Sequence, residues 1–463
     1  MLMRSFGALA AVSAGGMASQ AFAKTTNVHA TVTVLPSSPG TKLTSQYAGF
    51  SYEKSKITTP TFVPSNANLI NLFKRLGPGV LRLGGNEVDR CTWNGVTAGL
   101  RIIERSQVDA LNDFLNATGW KVIYGINLAK NTLNNATAEA QYASQRLGSN
   151  LIGFEVGNEP DLYHSNGLRK AAYAYGDYLN EWRTMADAIK QMSPQAPFAG
   201  PAGSFDLSGY CQPFARDTCG HSQVLTHHYY RASAAAASST VDMLISDDKK
   251  IASIIGPAAT QAHADGMQFR VGECNSFYGG GTTNVSNTFA SALWALDFMF
   301  ICASLGADGV NFHGGGNAMV YTPIADNNGA VQDVRPLYYG MSLFSMAAQG
   351  SYVPTKISFQ DPRTSVSAYG VARKDGGMNV VIVNKDKTSV ADLTVALGVN
   401  AKAVEIIRME APALNSVSGQ TISGAPIGLD GSWKAAKTES RGVVQGSTTV
   451  GVNPFSAVLL RTI

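Results

Sequence analysis

From about residue 46 to residue 345, short apolar runs alternate with segments of helical period. The apolar runs are QYAGFSY (46–52), VLRLG (80–84), KVIYGINL (121–128), LIGFEVG (151–157), PFAGP (197–201), VLTHHYY (224–230), QFRVG (268–272) and GVNFH (309–313). Each reads as a buried strand closed by Gly or polar residues. The segments between them include NANLINLFKRLG and SQVDALNDFLNATG. In the second, Ser106 is placed to cap, Val108, Leu111 and Leu115 share one face, and Gly119 ends the run. Eight strand–helix alternations predict a (β/α)8 barrel over 46–345. A doubly wound open sheet uses the same units, but no G-x-G-x-x-G stands at a first strand-to-helix turn.

Beyond residue 346 the pattern changes. TSVSAYGVARKDGGMNVVIVNKDKTSVADLTVAL is a series of short β-type runs broken by Gly, Asn and Lys, and FSAVLLRTI closes the chain. This predicts an antiparallel β-sandwich over 346–463. HATVTVLP (29–36) is one more strand ahead of the barrel, so residues 24–45 are expected to cross over and join that sandwich. Residues 1–23 read differently again. Arg4, a run of small apolar residues and Ala21-Phe22-Ala23 form the pattern of a cleaved export signal, which predicts a secreted or periplasmic protein. The apolar segment 289–306 is interrupted by Asp297 and is expected to be a buried amphipathic helix, not a membrane span.

Composition adds limits. Of 463 residues, 45% are apolar and 15% charged, and the net charge is +4. That balance suits a globular protein, expected to be a monomer, and lacks the dense basic stripe of a nucleic-acid binder. Export would allow Cys211 and Cys219, close together in a Gly- and Pro-containing loop, to form a disulfide. No Cys/His spacing suggests zinc. Although His227, His228 and His313 are present, neighbours on a strand face opposite ways, so no metal or cofactor is expected.

In a barrel of this kind, reactive groups stand at the C-terminal ends of strands. Strand 4 delivers Asn158 and Glu159, and strand 7 delivers Glu273. Two carboxylates facing each other across a barrel mouth are what glycoside hydrolysis with retention requires, one protonated as acid and one ionised as nucleophile. Glu155 reads as a supporting group inside the barrel, and Asp161 as a cap for the next helix. Strand 1 ends at Glu53, and Asp89 follows strand 2 in GGNEVDR; both are expected to meet sugar hydroxyls. The glycines after Phe277-Tyr278 tolerate positive φ, and their N–H groups suit an anion nest.

VGNEPDLY and VGECNSFYGGG, together with GFSYE, LRLGGNEVD and THHYY, resemble the signature segments of glycoside hydrolase family 79, the heparanase and β-glucuronidase family. The resemblance covers the barrel and implies a C-terminal β-domain. It implies Glu159 as acid/base, Glu273 as nucleophile and Asn158 as partner of the sugar 2-hydroxyl. By the same resemblance, Tyr229 donates its hydroxyl to Glu273, and Tyr278, Gly279 and Gly280 hold a glucuronate carboxylate, with Tyr321 adding a hydroxyl. The implied partner is a uronate-containing oligo- or polysaccharide. One departure is that residues 53–79 lead straight into a helix with no long excisable insert, so a single-chain, bacterial-type enzyme is expected. A related hydrolase acting on a neutral sugar such as xylose, and a carbohydrate-binding barrel without turnover, are the competing expectations.

Overall fold

All eight predicted apolar runs become strands of one closed, all-parallel barrel. The computed structural model describes residues 27–96, 99–359 and 365–463. The barrel strands are β1 (Ala48–Glu53), β2 (Val80–Gly84), β3 (Lys121–Ile126), β4 (Leu151–Val156), β5 (Phe198–Gly203), β6 (Ser222–Ser233), β7 (Gln268–Tyr278) and β8 (Gly309–Gly314). They are neighbours in chain order, and β8 closes on β1. Both strand faces are covered, by the barrel interior and by the outer helices, which is why the runs are almost continuously apolar. Residues 1–23, expected from the sequence to form an export signal, lie outside the described residues.

The helices follow their amphipathic pattern with local corrections. Helix Arg105–Thr118 buries Val108, Leu111 and Leu115, and Gly119 ends it at φ 74°. Its N-cap is Glu104 rather than Ser106: the Glu104 N–H donates to the Gln107 side chain, and Ser106 sits inside the first turn. Helix Phe289–Ser304 is buried on nearly every face instead of being amphipathic. It is wedged between the barrel wall and the C-terminal sheets, where Phe300 stacks on Tyr369 with ring centroids 4.8 Å apart. Asp297 is paired there, accepting from Lys385 Nζ at 2.8 Å and from the Tyr369 hydroxyl. Among the described residues no helix is long and apolar enough to cross a membrane.

The C-terminal region is a two-sheet sandwich. One sheet runs Thr355–Phe359, Asn27–Val34, Val390–Ala396, Ser447–Val452; the other is centred on Val366–Arg373, Met378–Asn384, Ser456–Thr462 and Ala403–Glu410. Val32, Val380, Ile382, Val395 and Leu460 fill the space between them. The strand Asn27–Val34 pairs antiparallel with Thr355–Phe359 and parallel with Val390–Ala396, the parallel pairing standing within an otherwise antiparallel arrangement. Chain ends on both sides of the barrel are thereby tied into one sheet.

Candidate active site

β7 carries the feature that aims Glu273 into the barrel. Its pairing with β6 passes from His227–Val271 directly to His228–Glu273, leaving Gly272 as an extra residue. A bulge breaks the strict in–out alternation and re-aims side chains. Gly272 therefore faces the interior, where an added Cβ would sit 3.1 Å from Thr226, and Glu273 faces inward as well. On β6, Thr226, His228 and Tyr230 point into the barrel, while His227 and Tyr229 point out.

Glu159 follows β4 with a left-handed backbone, φ 50° and ψ 56°, a conformation an L residue holds only when its surroundings fix it. Its N–H donates to the Ala202 carbonyl at 3.0 Å, and Oε1 lies 2.9 Å from His228 Nδ1. Oxygens of Glu159 and Glu273, together with a nitrogen of His228, all lie within 4.8 Å of one another. These three residues have metal-ligand spacing, yet Arg82 and His313 already crowd Glu273 with donors, which opposes a cation.

Arg82 organises the floor of the site. Fully buried on β2, it donates from Nε to Glu155 (2.5 Å), from Nη1 to Glu273 (2.7 Å) and Ser51 (3.1 Å), and from Nη2 to Asn158 Oδ1 (2.8 Å). Gly84 leaves room for it, since a Cβ there would lie 2.6 Å from the guanidinium carbon. Gly85, at φ 68°, likewise makes way for the Glu53 carboxylate. Burial alone would raise the Glu273 carboxyl, but His313, His228 and Arg82, with a hydrogen bond from Tyr230, hold it well below the usual carboxylate range. His313 is drawn the other way: burial disfavours its charge, but Glu273 and Glu53 raise it above the ordinary imidazole value.

Several residues expected at the mouth stand elsewhere. Tyr230, not Tyr229, donates to Glu273, at 2.8 Å. Tyr229 lies outside the barrel, stacked on Phe298 at 4.9 Å and bonded to Asp248. Asp89 does not reach the mouth: it is 2% exposed and accepts from the N–H groups of Leu128, Ala129 and Asn158 and from the Tyr163 hydroxyl. Asp161 caps no helix of its own but accepts three successive N–H groups, of Ser204, Phe205 and Asp206, fixing the loop after β5. Cys211 and Cys219 are free thiols on either side of helix Gln212–Asp217, Cys211 buried near the Thr226 carbonyl and Cys219 exposed near that of Asp265.

The other expected residues gather at the mouth. Glu53 Oε1 lies 3.6 Å from His313 Nε2, and Tyr321 packs beside Tyr230 and His313. Tyr278 is half-exposed at the end of β7, and Gly279, Gly280 and Gly281 after it all have positive φ. Arg82, His228 and His313 were not singled out from sequence as members of the site. A lone Arg inside VLRLG is the one signal available, because a charge in a doubly covered strand must have a buried partner.

The family model described as Glycosyl hydrolase family 79, N-terminal domain, matches residues 87–299. The chain is 25% identical over 302 residues to a beta-glucuronidase of Aspergillus niger, covering 58% of this chain and 54% of that protein. It is 24% identical to a beta-glucuronidase of Neurospora crassa, over 73% of this chain and 68% of the relative. Among solved structures, a 4-O-α-L-rhamnosyl-β-D-glucuronidase from Fusarium oxysporum 12S superposes with a TM-score of 0.77 at 21% identity, over 95% of this chain and 100% of that one. An arabinofuranosidase of family 51 from Xanthomonas axonopodis superposes at 0.67 and 18% identity, over 94% and 100%. These two structures share the barrel-plus-sandwich fold. The family model lies across the strands that carry Arg82's partners Glu155, Asn158 and Glu273, so the similarity to glycoside hydrolase family 79 falls on the residues that build this site.

Proposed function

We propose that the protein is an exported, single-chain retaining β-glucuronidase acting on β-glucuronide linkages of glycosaminoglycan-type saccharides. The observation that carries this is the carboxylate pair: oxygens of Glu159 and Glu273 within 4.8 Å leave no room for the water that inversion places between carboxyls about 6.5–9.5 Å apart. Glu273, kept ionised by its cationic surroundings and oriented by Tyr230, attacks the anomeric carbon. Glu159 gives its proton to the departing oxygen, then takes one from the water that cleaves the glycosyl ester. Asn158, its Oδ1 held by Arg82, presents its amide N–H toward the sugar 2-hydroxyl. Tyr278 and the N–H groups of Gly279 and Gly280 are assigned to the uronate carboxylate, and Glu53 and Tyr321 to the ring hydroxyls.

The test compares an aryl β-glucuronide with the matching glucoside and xyloside, followed by defined heparan sulfate and hyaluronan oligosaccharides with product sizes recorded. Preference for the glucuronide supports the proposal. Equal or faster cleavage of the xyloside moves the specificity to neutral sugars, and turnover of none indicates a binding protein.

A further inference from the structure

One large apolar side chain at the mouth stands in solvent although its backbone is fixed. Phe205, in the loop after β5, is 61% exposed. Its N–H and those of Ser204 and Asp206 all donate to the Asp161 carboxylate, at 2.7–3.0 Å for Oδ2. Asp161 lies two residues past Glu159, so this clamp ties the loop to the segment bearing the acid/base. On its far side the Phe205 ring meets Tyr278 edge-on, with centroids 6.3 Å apart and planes at 85°. Tyr278 in turn meets Tyr230, which holds Glu273.

We propose that Phe205 is the platform for the first ring of the leaving group and so a specificity determinant. This rests on the retaining-hydrolase reading above. Glu159 must face the glycosidic oxygen it protonates, so the leaving group lies on the Glu159 side of the sugar. Glu53, His313 and Tyr321 enclose the opposite side, between β8 and β1, where the glycone ring fits. Phe205 is the exposed ring bound to the Glu159 segment. An exposed aromatic face held by three backbone bonds offers apolar contact at little entropic cost. Its complement is a flat ring with an apolar face, either the C–H face of a pyranose or an aryl group.

The experiment measures kcat/KM for wild type, Phe205→Ala and Phe205→Trp on three substrates sharing the glycone that wild type cleaves. These are the disaccharide, the 4-nitrophenyl glycoside and the glycosyl fluoride, whose leaving group has no ring. Phe205→Ala is expected to lower kcat/KM about three- to tenfold on a ringed substrate, to leave the fluoride unchanged, and to be rescued by Phe205→Trp. A loss on the disaccharide alone identifies a sugar ring as the occupant, and a loss on the nitrophenyl glycoside alone an aryl group. No loss on either, or an equal loss on the fluoride, overturns the platform. Failure of the glucuronidase reading shows separately, as wild type preferring another glycone.

Discussion

Replacing Arg82 by Met keeps much of the side-chain length but removes every charge-assisted bond at the floor of the site. Glu155, fully buried, would retain only the Thr226 hydroxyl at 2.7 Å. Glu273 would keep Tyr230 at 2.8 Å and His313 at 3.4 Å, and Asn158 Oδ1 would lose its donor. Breaking a buried ion pair from one side costs about 3–5 kcal/mol, because the remaining charge stays desolvated. An adjacent guanidinium typically lowers a carboxyl by about 1–3 pH units, so its loss raises the titration of Glu273 by about that much. The assay is kcat/KM from pH 3 to 8 on the preferred glycoside, together with thermal unfolding. The expected outcome is a lower Tm and a kcat/KM that falls faster below about pH 5 than in wild type, each normalised to its value at pH 7. Arg82→Lys, which keeps the charge but loses the fork of donors, is expected to fall between the two. A pH profile superposable on wild type would refute the electrostatic role, and an unchanged Tm would refute the buried network.

Further predictions concern other sites. Tyr230→Phe removes a hydrogen bond to Glu273, the proposed nucleophile, and is expected to cut kcat about 10- to 100-fold, whereas Tyr229→Phe should leave kcat within about twofold; steady-state rates check both. His227 is fully buried with no hydrogen-bond partner for either ring nitrogen among the described residues, and burial, then His228, pushes it down to about 4. The folded state thus binds fewer protons there, so stability is full above the ordinary value of about 6.5 and is lost as pH falls through about 4, by on the order of 3 kcal/mol. Urea unfolding of His227→Leu should show a flatter pH dependence across that window than wild type. Lys385→Met leaves Asp297 buried with only the Tyr369 hydroxyl and should lower Tm by a few degrees with kcat/KM unchanged.

The barrel was legible because a strand covered on both faces must be apolar throughout, and turn residues and helical periods punctuated each run. The same property hid the orientation of individual side chains. In VLTHHYY both faces are buried, so alternation says that His228 and Tyr230 share a face with Thr226 but not that this face is the inner one. The Gly272 bulge compounded this, since it is visible only in the pairing of β7 with β6. Asp89 looked like a sugar ligand by position alone; its four donors come from segments near 128, 158 and 163 that no local pattern links to it. The placement of Glu159 and Glu273 at the mouth was legible because each stands where its barrel strand ends.

The proposed mechanism has Glu273 forming a covalent glycosyl-enzyme with Glu159 as acid/base. Incubation with 2-deoxy-2-fluoro-β-D-glucuronyl fluoride slows breakdown of that ester enough for peptide mass mapping. One label per chain is expected, on the peptide containing Glu273, formed more slowly after Tyr230→Phe and absent after Glu273→Gln. A label on any other residue, or turnover of the reagent with an inverted first product and no label, would contradict it.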